Sequence, residues 1–64
     1  MKALKKLREG TIVKYRGSNI EYYRRGTAKN GRVHLQCFTL THERYSHLDC
    51  YPSKEEKVEL FKFL

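Results

Sequence analysis

Lysine, arginine and tyrosine side chains gather in the first half of the chain, a combination that suits the binding of polyanions. Residues 1–34 have a net charge of +8 and residues 35–64 one of −1, which together give the +7 of the whole chain. Arginine binds phosphate through paired N–H groups, and tyrosine rings stack on unpaired bases. The pattern therefore predicts binding of RNA or single-stranded DNA with little sequence preference. The predicted binding residues are Lys14, Arg16, Tyr22, Tyr23, Arg24, Arg25, Lys29, Arg32 and His34.

Four side chains of the types that ligate zinc occur close together, as Cys37, His42, His47 and Cys50. A metal would stabilise a chain this short, but the spacing lacks the paired Cys-x-x-Cys that is typical of zinc ribbons. A zinc site is one interpretation. The spacing favours the other, in which the thiols are buried, the imidazoles are exposed and no cofactor is bound. In a reducing compartment we expect Cys37 and Cys50 to be free thiols, with a disulfide between them as the alternative.

The C-terminal segment carries more apolar side chains than one face of a strand can bury. They are Val58, Leu60, Phe61, Phe63 and Leu64. In a strand, Phe61 and Phe63 point away from the face that holds Val58, which makes them candidate partner-binding residues in a homodimer or a larger complex. The alternative is that Leu4 and Leu7 cover them. A second function hypothesis follows: a protein-interaction module or regulatory subunit whose basic face docks an acidic partner.

The length of 64 residues excludes several classes of protein. A single small domain over residues 1–64 leaves little interior for a pocket that holds a nucleophile, a base and an orienting group, so we do not expect an enzyme. The basic start has no uninterrupted apolar run, so neither a signal peptide nor a membrane span is expected. A cytoplasmic location is the expectation.

The predicted binding residues lie on segments with the two-residue period of β-strands. Residues 11–16 place Val13 and Tyr15 on one face and Lys14 and Arg16 on the other. Residues 21–29 and 32–40 flank Asn30 and Gly31, the pair that most readily takes positive φ at both centres of a tight hairpin turn. Tyr15 then shares the core face, so base stacking falls to Tyr22 or Tyr23, and Arg24 or Arg25 joins the outward face according to the register.

The second strand of this hairpin alternates clearly at first. Val33, Leu35 and Cys37 share one face, while Arg32, His34 and Gln36 share the other. Phe38 and Leu40 then fall on the polar side. Either a bulge shifts the register there, or the strand is buried on both faces at that point.

The remaining elements are expected to be short. Residues 2–9 contain strong helix formers and end at Gly10, which predicts a short basic helix or tail. A fourth strand is expected near residues 45–50. The stretch 53–56 matches a capping box, yet the residues that follow are strand formers, so we expect one helical turn at 53–56 and a strand at 57–63; the alternative is a helix over 54–63.

This element order resembles the small barrels of the Src-homology-3-like and Tudor type. The similarity covers roughly residues 10–64 and is carried chiefly by GTIVKYRG at 10–17, GTA at 26–28 and GRVHL at 31–35. The resemblance implies a mainly β fold, a small five-stranded Src-homology-3-like barrel, to which the sequence adds a short N-terminal helix at 1–9. It also implies a binding module, with partners that range from RNA and DNA to peptides and other subunits.

Overall fold

The computed structural model describes residues 1–18, 20–39 and 41–62, which form one five-stranded antiparallel sheet. Across the sheet the strand order is β1-β5-β2-β3-β4. The strands are β1 (Lys2–Ala3), β2 (Ile12–Lys14), β3 (Glu21–Thr27), β4 (Val33–Phe38) and β5 (Lys57–Leu60), with two 3₁₀ turns at Leu4–Lys6 and Ser46–Leu48. The prediction of a mainly β fold is confirmed.

The hydrophobic core lies on one face of the sheet, called here the inner face. On β4 the predicted alternation is confirmed, because Val33, Leu35 and Cys37 are fully buried while His34 and Gln36 are half-buried on the opposite, outer face. The rest of the core comes from Leu4, Val13, Tyr22 and Val58. Five of these seven core residues lie on β2, β3 and β4, so the neighbouring strands β3 and β4 are anchored to the core and hold their outward side chains in place.

The β3–β4 hairpin turns where the sequence predicts, but with a different geometry. The Gly31 amide donates to the Ala28 carbonyl at 2.9 Å, and the Ala28 amide donates to the Arg32 carbonyl at 2.7 Å. Gly31 has a φ of +79°, whereas Asn30 does not have positive φ, so the prediction of positive φ at both residues was wrong. The loop is one residue longer than a two-residue turn, and only its last position requires the left-handed conformation.

The N-terminal segment is not the predicted helix. Ala3 pairs with Lys57, and the amides of Leu4 and Lys5 donate to the carbonyls of Glu56 and Lys54 at 2.8 and 3.0 Å. A two-turn helix is marginal in water, and pairing with β5 satisfies the same backbone groups while it buries Leu4 completely. The prediction was wrong because a long-range contact overrode local helix propensity.

The predicted strand at 45–50 was also wrong. The segment 41–53 instead follows the free edge of β4 through three single bridges, Phe38 to Arg44, Leu35 to Cys50 and Arg32 to Ser53, with a 3₁₀ turn between the first two. Residues 41–48 are exposed, so no buried face selects a strand register there.

The C-terminal prediction of a turn followed by a strand is confirmed, and the alternative helix over 54–63 was wrong. The Glu56 amide donates to the Ser53 carbonyl at 3.0 Å, and the Ser53 hydroxyl accepts from the Glu55 amide at 3.2 Å. Strand β5 then pairs with both β1 and β2. Strand β5 ends at Leu60, short of the predicted residue 63, because Phe61 and Lys62 are described but are not part of it; Phe63 and Leu64 lie outside the described residues.

The sheet is open in the part of the chain that the structure describes. Strands β1 and β4 form its two edges, and no strand pairing joins them. Within the same residues, no helix is long and apolar enough to cross a membrane.

Candidate nucleic-acid interface

The alternation of β3 divides the sequence Tyr22-Tyr23-Arg24-Arg25 between the two faces of the sheet. Tyr22 pairs with Val13 on one side and with Cys37 on the other, and it is 7% exposed. Its ring meets that of Tyr15 edge-on, with the centroids 5.7 Å apart. Burial, and then the neighbouring Cys37, raise the pKa of Tyr22 to about 12. Tyr22 is therefore a core residue that cannot stack on a base, contrary to one of the two predicted placements.

Arg24 is also turned inward, which removes it from the predicted binding face. Its Nε donates to the Leu4 carbonyl at 3.3 Å, and its Nη1 donates to the Arg25 carbonyl at 2.5 Å. The side chain is buried and donates to these two backbone carbonyls, so it fixes the N-terminal segment to β3. The pairing register explains why Arg24 points inward, because Arg24 lies opposite Leu35, a core position on β4.

Tyr23 and Arg25 lie on the outer face, where they meet residues that the sequence did not single out. The Arg25 Nε donates to the Gln36 Oε1 at 2.7 Å, and the Arg25 guanidinium lies 5.3 Å from the centre of the Tyr23 ring. The Tyr23 ring contacts that of Phe38 edge-on at 4.8 Å, and Arg44 lies 5.5 Å from the Phe38 ring centre. These five residues are called here the outer-face cluster.

Phe38 shows why the sequence pattern was ambiguous at this end of β4. It pairs in register with Glu21, so no bulge interrupts the strand there. Tyr23 and Arg44 cover it from the outer side, which leaves it half-buried. The first of the two predicted alternatives, a bulge, is therefore wrong at Phe38; Leu40, the other residue of that prediction, lies outside the described residues.

Two carboxylates lie next to the outer-face cluster, and both accept hydrogen bonds from other side chains. Glu21 is 2% exposed; the Tyr23 hydroxyl donates to its Oε2 at 3.2 Å, and His42 Nδ1 lies 3.5 Å from the same oxygen. Burial, and then the Glu21 carboxylate, raise the pKa of Tyr23, which keeps its hydroxyl a donor. The negative charge of Glu21 is thus withdrawn from the surface.

The second carboxylate, Asp49, connects the 41–53 segment to β4. Its two oxygens accept from Arg44 Nη1 at 2.7 Å and Nη2 at 2.6 Å, from the Cys37 amide at 2.8 Å, and from His34 Nε2 at 2.8 Å. Partial burial alone would raise the pKa of Asp49, but these hydrogen bonds outweigh it and hold the pKa well below its usual range. Asp49 therefore positions both an arginine and a histidine of the outer face.

Tyr51 extends the outer face beyond His34. The two rings stack nearly in parallel, with centroids 4.9 Å apart and an interplanar angle of 13°. The Tyr51 carbonyl accepts from Arg32 Nη1 at 2.9 Å, and the Pro52 carbonyl accepts from the Val33 amide at 2.9 Å. Tyr51 was not predicted as a binding residue; the one local signal is that it precedes Pro52, which favours an extended backbone at residue 51.

The other predicted basic residues divide between two parts of the sheet. Lys29 is exposed in the loop that joins β3, which carries Arg25, to β4. Lys14 instead stands opposite Glu59 in the strand pairing, and Arg16 lies 3.6 Å from Glu56 and over the Tyr15 ring. Lys14 and Arg16 therefore have acidic neighbours and contribute less positive potential than the sequence suggests.

The four candidate zinc ligands are not brought together. His42 lies against Glu21, and His47 lies against Tyr45. Across the part of the chain that the structure describes, no three Cys, His, Asp or Glu side chains form a group that could hold a metal. Cys37 and Cys50 are free thiols, and burial raises the pKa of both, to about 11 for Cys50, so both remain protonated near neutral pH.

The apolar C-terminal segment is only partly covered. Phe61 is half-buried, and its amide donates to the Ile12 carbonyl at 3.0 Å. Leu60 shares the inner side with Val58 by alternation but is 53% exposed. Together with Met1 and Val58 it lines a shallow groove of about 420 Å³ beside β1.

No family model, curated protein or solved structure matches this chain.

Proposed function

We propose that this protein is a binding module for single-stranded nucleic acid, RNA or DNA, that has little sequence preference and no catalytic activity. The observation that carries the proposal is the pairing of cations with aromatic rings on one open face: Arg25 with Tyr23, and Arg44 with Phe38. Single-strand binding proteins combine these two chemistries, since cations track the phosphates while flat rings contact the bases.

The outward residues of β4 arrange this chemistry in a line. His34, Gln36 and Phe38 occupy every second position of the strand over about 14 Å, a length that follows from a rise of about 3.4 Å per residue. Each one touches an aromatic or basic neighbour, as described above for Tyr51, Arg25 and Arg44. A flexible strand of nucleic acid could follow such a line, whereas a duplex reader needs an element that inserts into a groove.

The charge balance supports a polyanion as the partner. The chain has a formal net charge of +7, and the carboxylates of Glu21 and Asp49 beneath the outer face already accept hydrogen bonds from the protein. Arg25, Lys29 and Arg32 therefore act in a largely positive field. The resemblance to small Src-homology-3-like barrels belongs to the same proposal, because it also implies a binding module.

Fluorescence anisotropy of a labelled oligothymidine tests this proposal. We expect the affinity to fall steeply between about 50 and 200 mM salt, as the release of counterions from phosphates requires. Arg25→Gln should weaken binding of every sequence alike and reduce the salt slope by about one.

Lys6→Gln is the matched control, since it removes one exposed positive charge from the 3₁₀ turn next to β1, at the other edge of the sheet. It should leave the affinity close to that of the unmodified protein. Absence of binding at low salt, or equal losses in Arg25→Gln and Lys6→Gln, would refute the proposal.

A second candidate function rests on the groove formed by Met1, Val58 and Leu60. Lys2, Lys62 and the acidic Glu59 also line this groove, and its two lysines suit a protein partner with acidic groups around an apolar centre. This candidate predicts a stoichiometric protein complex that survives nuclease treatment. The complex should be lost in Leu60→Gln and retained in Arg25→Gln, as measured by the mass on size-exclusion chromatography with and without nuclease. A complex that nuclease dissolves would exclude this candidate.

A further inference from the structure

The ring of Tyr51 is an exposed aromatic surface with a built support behind it. We propose that Tyr51, backed by His34, is a stacking platform for an unpaired base, and that it makes the protein prefer strands with accessible bases over polyanions without them. This inference rests on the proposed function and names which chemical part of the ligand is recognised.

The exposure and geometry of Tyr51 fit this role. Tyr51 is 52% exposed, although His34 stacks on one side of its ring at 4.9 Å and 13°. One face of the phenol ring is therefore occupied, and the solvent reaches the other. A nucleobase that stacks on the free face would extend an existing pair of nearly parallel rings. Aromatic rings attract one another in such a stack when they are offset and do not lie directly face to face.

The support behind the ring is fixed by hydrogen bonds at every step. His34 donates to Asp49, whose carboxylate is held by both terminal nitrogens of Arg44 and by the Cys37 amide. The ring of His34 therefore has one orientation. Binding a base would immobilise few additional side chains, so little conformational entropy is lost on association.

The backbone that carries Tyr51 is held equally firmly. On its N-terminal side, Cys50 and Leu35 exchange two backbone hydrogen bonds, at 2.9 and 3.2 Å. On its C-terminal side, the buried Pro52 accepts from the Val33 amide at 2.9 Å. Tyr51 is thus attached to the central hairpin at both ends although it lies outside any strand.

A side chain that could bind phosphate, that of Arg32, lies next to the stacking platform. Arg32 is exposed, and its Nη1 donates to the Tyr51 carbonyl at 2.9 Å. A guanidinium carries five N–H donors, so this bond leaves others for the phosphate of a nucleotide whose base lies on Tyr51. The aromatic ring and the cation are held in one fixed relation, as base-plus-phosphate recognition requires.

Tyr45 provides a comparison within the same segment. It is 37% exposed, and its ring lies 5.5 Å from that of His47 but is tilted by 40°. Among the described residues, no parallel ring supports it. We expect Tyr45 to contribute much less to base recognition than Tyr51, which makes Tyr45→Ala the matched control for Tyr51→Ala.

The test compares oligothymidine with an abasic oligonucleotide of equal length at one salt concentration. We expect the unmodified protein to bind oligothymidine more tightly. Tyr51→Ala should lose about tenfold or more of the affinity for oligothymidine, the typical effect of removing one stacked ring, and keep its affinity for the abasic strand. Tyr51→Phe should behave like the unmodified protein, and Tyr45→Ala should lose less than about threefold, as a side chain without a stacked partner would.

A direct spectroscopic signature is available because the chain contains no tryptophan. Tyr51→Trp introduces a single indole, whose fluorescence should be quenched by oligothymidine and unchanged by the abasic strand. Tyr45→Trp should show little quenching with either strand. This readout does not depend on whether the alanine variant folds.

The outcomes separate the two proposals. If the unmodified protein binds neither strand at low salt, the proposed function fails, and this inference fails with it. If it binds both strands equally, or if Tyr51→Ala and Tyr45→Ala lose the same affinity, the stacking platform is refuted while polyanion binding stands. Preference for bases, lost selectively in Tyr51→Ala, supports the inference.

Discussion

Two tyrosine–arginine pairs of β3, Tyr22 with Arg24 and Tyr23 with Arg25, lie on opposite faces of the strand. The inward pair is buried and bonded to the backbone or packed on the core, while the outward pair forms part of an open aromatic and basic surface. Their residue types are identical. Only the register of β3 against its neighbours distinguishes them.

This difference shows that residue type alone does not assign a role on a strand. Arg24 contributes a positive charge to the composition but directs its guanidinium to backbone carbonyls inside the molecule. Arg25 keeps its guanidinium over a ring that faces outward. Changes at the inward pair should therefore alter stability, and changes at the outward pair should alter binding.

The strongest test of this contrast is the pair Tyr22→Ala and Tyr23→Ala. Loss of a buried aromatic side chain typically costs about 3–5 kcal/mol of unfolding free energy, which is comparable to the whole stability expected of so small a core. Tyr22→Ala should therefore show no cooperative urea transition at 25 °C, whereas Tyr23→Ala should retain one. Tyr22→Phe is the folded companion. Equal urea midpoints for the two alanine variants would break the distinction between the faces.

The arginine pair should show the same contrast with a smaller effect. Arg24→Met removes one of two donors to the Leu4 carbonyl, which still accepts from the Leu7 amide at 3.1 Å, and loss of a buried hydrogen bond from a charged group costs about 1.5–3 kcal/mol. Arg25→Met should cost less than about 1 kcal/mol, since its side chain is only partly buried. Urea unfolding measures both. In oligothymidine binding the order should reverse, with Arg25→Met the weaker binder and Arg24→Met close to normal; the same order in both assays would contradict the assignment.

A third test concerns acid and the carboxylate that supports the outer face. The pKa of Asp49 is lower in the folded state, so its charge stabilises that state above the ordinary value of about 3.9, and the contribution is lost as the pH falls toward the lowered value. Stability should therefore decline below about pH 5. Asp49→Asn should be less stable at neutral pH and show a flatter decline. Parallel curves for the two proteins would show that Asp49 is not the group responsible.

The smallest expected effect lies in the alkaline range and concerns the inward face. A tyrosine whose pKa is raised to about 12 contributes stability that is complete below its ordinary pKa of about 10 and is lost as the pH rises through 12. Ultraviolet titration should show one tyrosine that ionises late, and this component should disappear in Tyr22→Phe. At neutral pH the phenylalanine variant should differ little. If the late component persists, it belongs to another residue.

Local patterns were sufficient for part of the fold. The alternation of Val33, Leu35 and Cys37 and the turn at Asn30 and Gly31 depend on neighbours in sequence, and both were located correctly. The segments 2–9 and 45–50 were misassigned because each is held by distant backbone groups, β5 for the first and the edge of β4 for the second. Helix propensity and polar composition carry no information about such contacts.

The residue types of the candidate interface could be predicted from the sequence, but the particular residues that form it could not. The sequence indicated tyrosine and arginine near residues 22–25, and the choice between adjacent positions required the pairing of Tyr22 with Val13 and Cys37. Arg44 and Asp49 join this surface only because the 41–53 segment folds back on β4, where Arg44 lies over Phe38. A segment that is held in place by single bridges has no periodic sequence pattern from which its position could be predicted.

The same segment has a consequence for how concentrated solutions of this protein should behave. An uncovered sheet edge offers its N–H and C=O groups to strands of other molecules and so promotes aggregation. Here the backbone groups of Leu35, Cys37 and Val33 are already bonded to Cys50, Tyr45 and Pro52, and the opposite edge strand, β1, is only two residues long. A variant that detaches the 41–53 segment should therefore form β-rich aggregates before it loses its hydrophobic core.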